Sequence, residues 1–251
     1  MRRRFLITVE YDGKNYCGWQ RQRNGTGVQA VIEDALYGLF GNAITLFGSG
    51  RTDAGVSAEE QTAHFDADTD IPPERIPHAL NFRLPRDISV KSCRVVGGDF
   101  HARSNKKKKT YVYKLYVSDV RRPLLDRDRL FIKKPLDIES MRRAAELMVG
   151  VYDCRCYEKS GSAGGNPVKT VYSAAVGDLG GGRLDIAITG SGFLYKMART
   201  MAGTLVYVGI GKLTAEDVGE AVKNCDKIKT GKTLPAEFLR LVKTEYIDAE
   251  R

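Results

Sequence analysis

The feature that most constrains this chain is an element order that can be read twice along its 251 residues. In the first pass Phe5, Ile7, Val9 and Tyr11 alternate with Leu6, Thr8 and Glu10, the period of a half-buried strand. Thr26-Gly27-Val28-Gln29 has capping-box spacing, in which the Thr hydroxyl and the Gln amide satisfy backbone N–H groups of a first helical turn. Val28, Ile32, Ala35 and Leu39 line one face of the helix behind it, and Gly41-Asn42 ends it. Strands follow at 43–47 and 62–66, then a helix at 73–82 and a strand at 88–96.

The second pass begins with a strand at 110–117, placing Tyr111, Tyr113, Leu115 and Val117 on one face. A helix over 137–149 buries Ile138, Met141, Ala145 and Met148, with Gly150 as its C-terminal cap. Strands at 168–176 and 183–189 form a hairpin around the Gly177–Gly182 loop. A long helix at 193–208, a shorter one at 214–223 and a strand at 238–247 complete the pass. The order β-α-β-β-α-β in each half predicts an α+β fold of two tandem ferredoxin-like units, 1–104 and 105–251. The competing reading is a single irregular α+β domain.

Charge separates the halves. Residues 1–104 carry 13 basic and 13 acidic side chains, so the whole net charge of +9 resides in 105–251. Such asymmetry points to a polyanion, nucleic acid first and an acidic membrane surface second. If each unit stacks its helices on one sheet face, the open faces can line a shared RNA-binding cleft. With 42% hydrophobic and 28% charged residues the composition is that of a globular protein. The absence of any eighteen-residue apolar run excludes a transmembrane helix, and the basic start lacks a signal-like apolar stretch, so a cytoplasmic location is expected. Five cysteines without a secretory context argue against a disulfide framework. Cys154 and Cys156 are the one close pair, and His64, His78 and His101 are scattered, so no metal site is predicted.

Glycines cluster at 48–55, 161–165 and 177–182. The last two read as flexible surface loops. The first brackets charged residues, Gly48-Ser49-Gly50-Arg51-Thr52-Asp53-Ala54-Gly55-Val56. Arg51 and Asp53, two apart, can project to the same side of an extended loop. A guanidinium beside a carboxylate keeps it ionised, which suits a nucleophile or electrostatic group better than a general acid. The same pattern also fits an ordinary turn whose Asp bonds its own backbone.

The ordered motifs decide more. Val9-Glu10-Tyr11-Asp12-Gly13, Gly18-Trp19-Gln20-Arg21-Gln22, Gly50 through Ala58, Phe100-His101-Ala102-Arg103, Thr110-Tyr111-Val112-Tyr113 and Gly192 through Arg199 follow one another along nearly the whole chain. In this set the chain closely resembles the TruA family of tRNA pseudouridine synthases. The resemblance implies two ferredoxin-like halves, a homodimer, tRNA as partner and no cofactor. It implies uridines on the 3′ side of the anticodon stem-loop (tRNA positions 38–40) as targets. Asp53 would be the catalytic aspartate and Tyr111 the tyrosine that stacks on the uracil and helps handle the C5 proton. Arg51 would grip phosphate or position the flipped nucleotide, and Arg199 would pair with Asp53. Departures occur at Tyr152-Asp153-Cys154 and over Leu234–Leu239.

Isomerising uridine breaks N1–C1′, turns the uracil and joins C5 to C1′. A carboxylate can attack C1′, attack C6 or remove the C2′ proton; each route needs an ionised carboxylate held against the base. The base must also leave its stack, so an aromatic surface is expected. Lys106, Lys107, Lys108 and Lys109 lead into the Tyr111 strand and are read as tRNA contacts, with Arg21 and Arg23 and, more remotely, Arg121, Arg122, Arg127 and Arg129. Trp19, Phe193 and Met197 read as packing residues, and Leu194 or Leu205 as an apolar wall behind the base. The alternative from another class is a non-catalytic RNA-binding protein with two RRM-like sheets, but no RNP1 octamer is spelled.

Overall fold

The computed structural model describes residues 2–161 and 164–246. They form ten strands and five α-helices in an α+β arrangement that divides into two compact units, Met1–Lys107 with Arg240–Arg251, and Lys108–Leu239. In the first unit β1 (Arg2–Tyr11) is followed by α1 (Val28–Phe40), β2 (Phe47–Gly48), β3 (Ser57–Asp68), α2 (Ile76–Asn81) and β4 (Ile88–Val96). Strand β1 lies between β3 and β4, antiparallel to both, and β2 pairs with β3. The predicted face, Phe5, Ile7, Val9 and Tyr11, is buried, with Phe5 stacked on Phe65 at 5.4 Å. Leu6 on the opposite face is buried as well, so the alternation shows only from Ile7 onward, where Thr8 is half-buried and Glu10 exposed. Val28, Ile32 and Leu36 of α1 are fully covered, each such side chain contributing about 1.5–3 kcal/mol of burial. At the sheet's far end Arg4 makes a two-pronged bond to Asp66, at 2.7 and 2.8 Å.

Helix α1 ends at Gly41 with φ +74, as the sequence predicts, but it does not begin with a capping box. Gly27 is the N-cap, and the first N–H groups, those of Val28 and Gln29, donate to the carbonyls of Gly18 and Trp19. The Gln29 amide is spent elsewhere, donating to Leu46 O and accepting from Gln20 and the Arg21 N–H. Backbone carbonyls delivered by the preceding loop have displaced the side-chain cap. The expected helix at 73–82 starts as a 3₁₀ turn at Pro73–Arg75, and the expected strand at 43–47 pairs with β3 only from Phe47 onward.

The second unit runs β5 (Lys106–Val117), β6 (Leu130–Ile132), α3 (Ile138–Leu147), β7 (Gly150–Asp153), β8 (Val168–Asp178), β9 (Arg183–Gly190), α4 (Met197–Gly209) and α5 (Ala215–Asn224). Strand β9 is antiparallel to β5 and β8, β7 is antiparallel to β8, and β6 is parallel to β5. Tyr111, Tyr113 and Leu115 are buried with Ile186 and Ile188 from β9, and Met141, Met201 and Leu205 are buried on the helices. Gly150 opens β7 instead of capping α3, whose C-cap is Met148. Helix α4 starts four residues later than predicted, because Lys196 takes the left-handed φ +60 and Leu194 O accepts from Met197 N in a preceding turn.

The last strand differs most from expectation. Strand β10 (Leu239–Tyr246) pairs in parallel with β3, Arg240 beside Ser57 and Leu241 beside Ala58, so it joins the first unit, not the second. Arg240 bonds Glu59, and the Tyr246 hydroxyl meets Thr62 Oγ1 at 2.6 Å and donates to Ala102 O. The remainder of the predicted strand, at Ile247, and residues 162–163 of the second glycine cluster lie outside the described residues.

Candidate active site

The loop between β2 and β3 is fixed almost residue by residue. Ser49 N donates to Thr62 O at 2.8 Å, and Ser49 Oγ donates to Gln61 Oε1 at 2.7 Å. Gln61 Nε2 donates to Gly50 O at 3.0 Å. Thr52 turns inward, its Oγ1 2.8 Å from the Tyr11 hydroxyl and its carbonyl accepting from Trp19 N. Burial pushes the Tyr11 phenol above its usual range, so this hydroxyl stays protonated. Thr52 is buried between an exposed Arg51 and a half-buried Asp53. Arg51 Nε donates to Gln20 Oε1 at 3.1 Å.

Asp53 opens a tight turn: Val56 N donates to Asp53 O at 3.1 Å, and Gly55 takes φ +83, as the third position of a type II turn requires. The turn rests on the Tyr11–Gln20 segment. Gly55 N donates to Tyr16 O, and a Cβ on Gly18 would lie 2.6 Å from Thr52 O and 3.1 Å from the Asp53 carbonyl carbon. A Cβ on Gly48 would strike the Trp19 indole. Trp19, 2% exposed, is thus a core residue as read from sequence, but a core residue whose backbone and ring hold this loop.

In the second unit Tyr111 is 7% exposed on β5, its ring edge-on to Phe193 at 4.9 Å. Arg199 stands in the first turn of α4, where a cation opposes the helix dipole and gains nothing from helix stability. Its Nε donates to Leu234 O at 2.7 Å. The segment carrying Leu234 runs along α4: Gly231 N donates to Thr204 Oγ1, and Thr200 and Thr233 share a 2.9 Å hydroxyl contact. A Cβ on Gly203 would collide with Lys232 O. Pro235 O accepts from the Tyr113 hydroxyl. The sequence singled out Leu234–Leu239 only as a departure; what gave it no signal is that its contribution is backbone carbonyls.

The basic candidates divide by environment. The lysine run is not a loop before the strand but part of β5. Lys109 is 4% exposed, which separates it from surface phosphate contacts, and Lys108 Nζ lies 5.4 Å over the Tyr172 ring. The side chain of Lys107 lies outside the described set. Arg21 is engaged by Glu33 at 2.6 Å and Asp34 at 3.1 Å, whereas Arg23 sits in an exposed turn. Arg129 is structural: 8% exposed, it bonds Asp185 and the carbonyls of Leu115 and Leu184. Arg121 pairs with Asp126. Leu205 is wholly buried in α4, leaving Leu194, half-buried, as the apolar candidate near Phe193.

All five cysteines are free thiols, and burial pushes those of Cys154 and Cys156 up to about 12. Among the described residues no three His, Cys, Asp or Glu side chains gather as metal ligands, and no helix is long and apolar enough to cross a membrane.

A family model described as tRNA pseudouridine synthase matches residues 7–105 and 144–247. Proteins named tRNA pseudouridine synthase A are similar over nearly the full length. That of Caldicellulosiruptor saccharolyticus is 41% identical over 244 residues, covering 97% of this chain and 100% of its own. That of Thermoanaerobacter sp. (strain X514) is 39% identical with the same coverage. That of Clostridium acetobutylicum is 36% identical over 241 residues, 96% of this chain and 98% of its own. The match takes in the clamped Asp53 loop and the Arg199 helix alike, and the chain belongs to the TruA family of tRNA pseudouridine synthases.

Proposed function

We propose that this enzyme converts uridine to pseudouridine in the anticodon stem-loop of tRNA, at positions 38–40, with Asp53 as the reacting carboxylate. The observation that carries the reading is the Asp53 turn: a half-buried carboxylate on a backbone held at Ser49, Gly50, Thr52, Gly55 and Val56. Preorganisation of that kind keeps a nucleophile or base in place without reorganisation during reaction. Attack at C1′, attack at C6 and removal of the C2′ proton all use the same carboxylate. In each, N1–C1′ breaks, C5–C1′ forms, and the C5 proton is lost while N1 gains one, so atoms balance without oxidant or co-substrate.

We read Arg199 as the cation partner of Asp53 in the reaction; its unfavourable place in a helix's first turn supports a role in holding an anion. Tyr111 offers its ring to the flipped uracil, and its strand position beside Phe193 supports an aromatic wall there. Arg51 grips phosphate or the flipped nucleotide. We take each half as ferredoxin-like, the first supported by its β4-β1-β3 order with β2 on the β3 edge. The reading is of a cytoplasmic, cofactor-free homodimer; sedimentation of the purified chain tests the dimer.

Purified protein incubated with uridine-containing tRNA transcript, without metal or nucleotide, is expected to form pseudouridine at positions 38–40. Tight tRNA binding with no pseudouridine would favour an RNA-binding protein instead. Pseudouridine confined to other positions would overturn the anticodon assignment.

A further inference from the structure

We infer that Gln61 is a positioning residue for the reaction, acting with Tyr11 to fix the backbone that presents Arg51 and Asp53. The inference rests on the reading of Asp53 as the reacting carboxylate. Gln61 lies in the middle of β3, opposite Val9, and is 0% exposed. A buried amide costs free energy unless its hydrogen bonds are made, and Ala63 and Phe65 on the same strand show that apolar side chains serve the core here. Gln61 spends its amide on the loop: Oε1 accepts from Ser49 Oγ and Nε2 donates to Gly50 O. Tyr11, 3% exposed, takes the next inward position by meeting Thr52 Oγ1. Ser49, Gly50 and Thr52, the residues flanking Arg51 and leading into Asp53, are thereby gripped by two buried side chains from two strands.

Such a network acts through geometry, so its loss should slow the chemical step and leave tRNA binding nearly intact. The test uses the full chain with Gln61→Met, which keeps volume and removes the hydrogen bonds to Ser49 and Gly50, and Tyr11→Phe, which removes one hydroxyl. Single-turnover rates at saturating tRNA, tRNA dissociation constants and melting temperatures are measured for each, with rates taken well below the melting transition. Gln61→Met is expected to be slower by about 10- to 100-fold with affinity changed less than about threefold, and Tyr11→Phe to show the same split at smaller size. Folded variants with rates within twofold of wild type would overturn the inference, as would rate and affinity falling in parallel. If Gln61→Met does not fold, Tyr11→Phe decides by the same criterion. A wild-type chain that forms no pseudouridine contradicts the proposed function itself; an active wild type with unimpaired variants contradicts only the positioning role.

Discussion

Two glycine-rich segments of similar composition behave in opposite ways. In Gly48–Val56 the surroundings press close: Cβ atoms on Gly48 and on the facing Gly18 would strike Trp19 and the Thr52–Asp53 backbone. In the β8–β9 hairpin, Gly180 and Gly181 take φ +74 and +62, yet a Cβ on either would meet nothing within 4 Å. Glycine there supplies a dihedral angle, whereas around Asp53 it also supplies proximity. Both segments look alike as sequence. What separates them is the partner at these positions, a buried indole and a second stretch of backbone around Asp53 and open space at Gly180 and Gly181. The hairpin meets backbone at its base, where a Cβ on Gly182 would collide with Val117 O.

The comparison breaks most visibly at Gly18. With φ +91 and Thr52 O at 2.6 Å from a Cβ, Gly18→Ala must push the Asp53 turn away. The expected result is a rate loss of about 100-fold and a stability loss of about 2–3 kcal/mol, read by single-turnover kinetics and urea unfolding. A near-normal rate would show that close approach is not what this glycine provides.

Asp66→Asn sharpens the contrast between stability and geometry, since it weakens the first unit without touching the loop. The Arg4 guanidinium holds the Asp66 carboxyl below its usual 3.8 through hydrogen bonds and charge. The pair therefore stabilises fully above that value and loses its contribution as pH falls through the lowered one. At neutral pH the variant should be less stable by about 1–2 kcal/mol, allowing for partial exposure, and converge with wild type in acid. Turnover should be unchanged. A pH-independent difference would contradict the ion-pair account.

Gly181→Ala should cost about 1 kcal/mol, the penalty for a left-handed Cβ, with no change in rate. The smallest effect belongs to the lysine run. Lys108→Gln should reduce the slope of log affinity against log salt by at most about 0.9. Lys109→Gln, at a buried position, should instead lower melting temperature with little change in slope.

The elements legible in sequence are those whose pattern is self-contained. The buried Phe5–Tyr11 face of β1, the boundaries of β4 and the Gly41 end of α1 depend on nearby residues and were readable. Thr26–Gln29 misled because Gly18 and Trp19 carbonyls take the helix N-terminus; the actual capping box, Thr214 with Asp217, begins the short α5. Strand β3 extends back to Ser57 through Glu59, Glu60 and Gln61, polar residues that hide it from a hydrophobicity reading. Short β6 and β7 exist through pairing with neighbours, which no local pattern encodes. At the site, the motif around Asp53 was plain, but the roles of Gln61, Tyr16 and Leu234 are hydrogen bonds across sequence separations that one chain does not reveal.

The measurement that tests the central claim most directly is single-turnover pseudouridine formation by Asp53→Asn, beside its tRNA affinity. The amide keeps the shape of the side chain but can act neither as nucleophile nor as base. The account predicts no detectable pseudouridine at positions 38–40 with tRNA binding close to wild type. Measurable turnover by the pure variant, with wild-type contamination excluded, would remove Asp53 from its role.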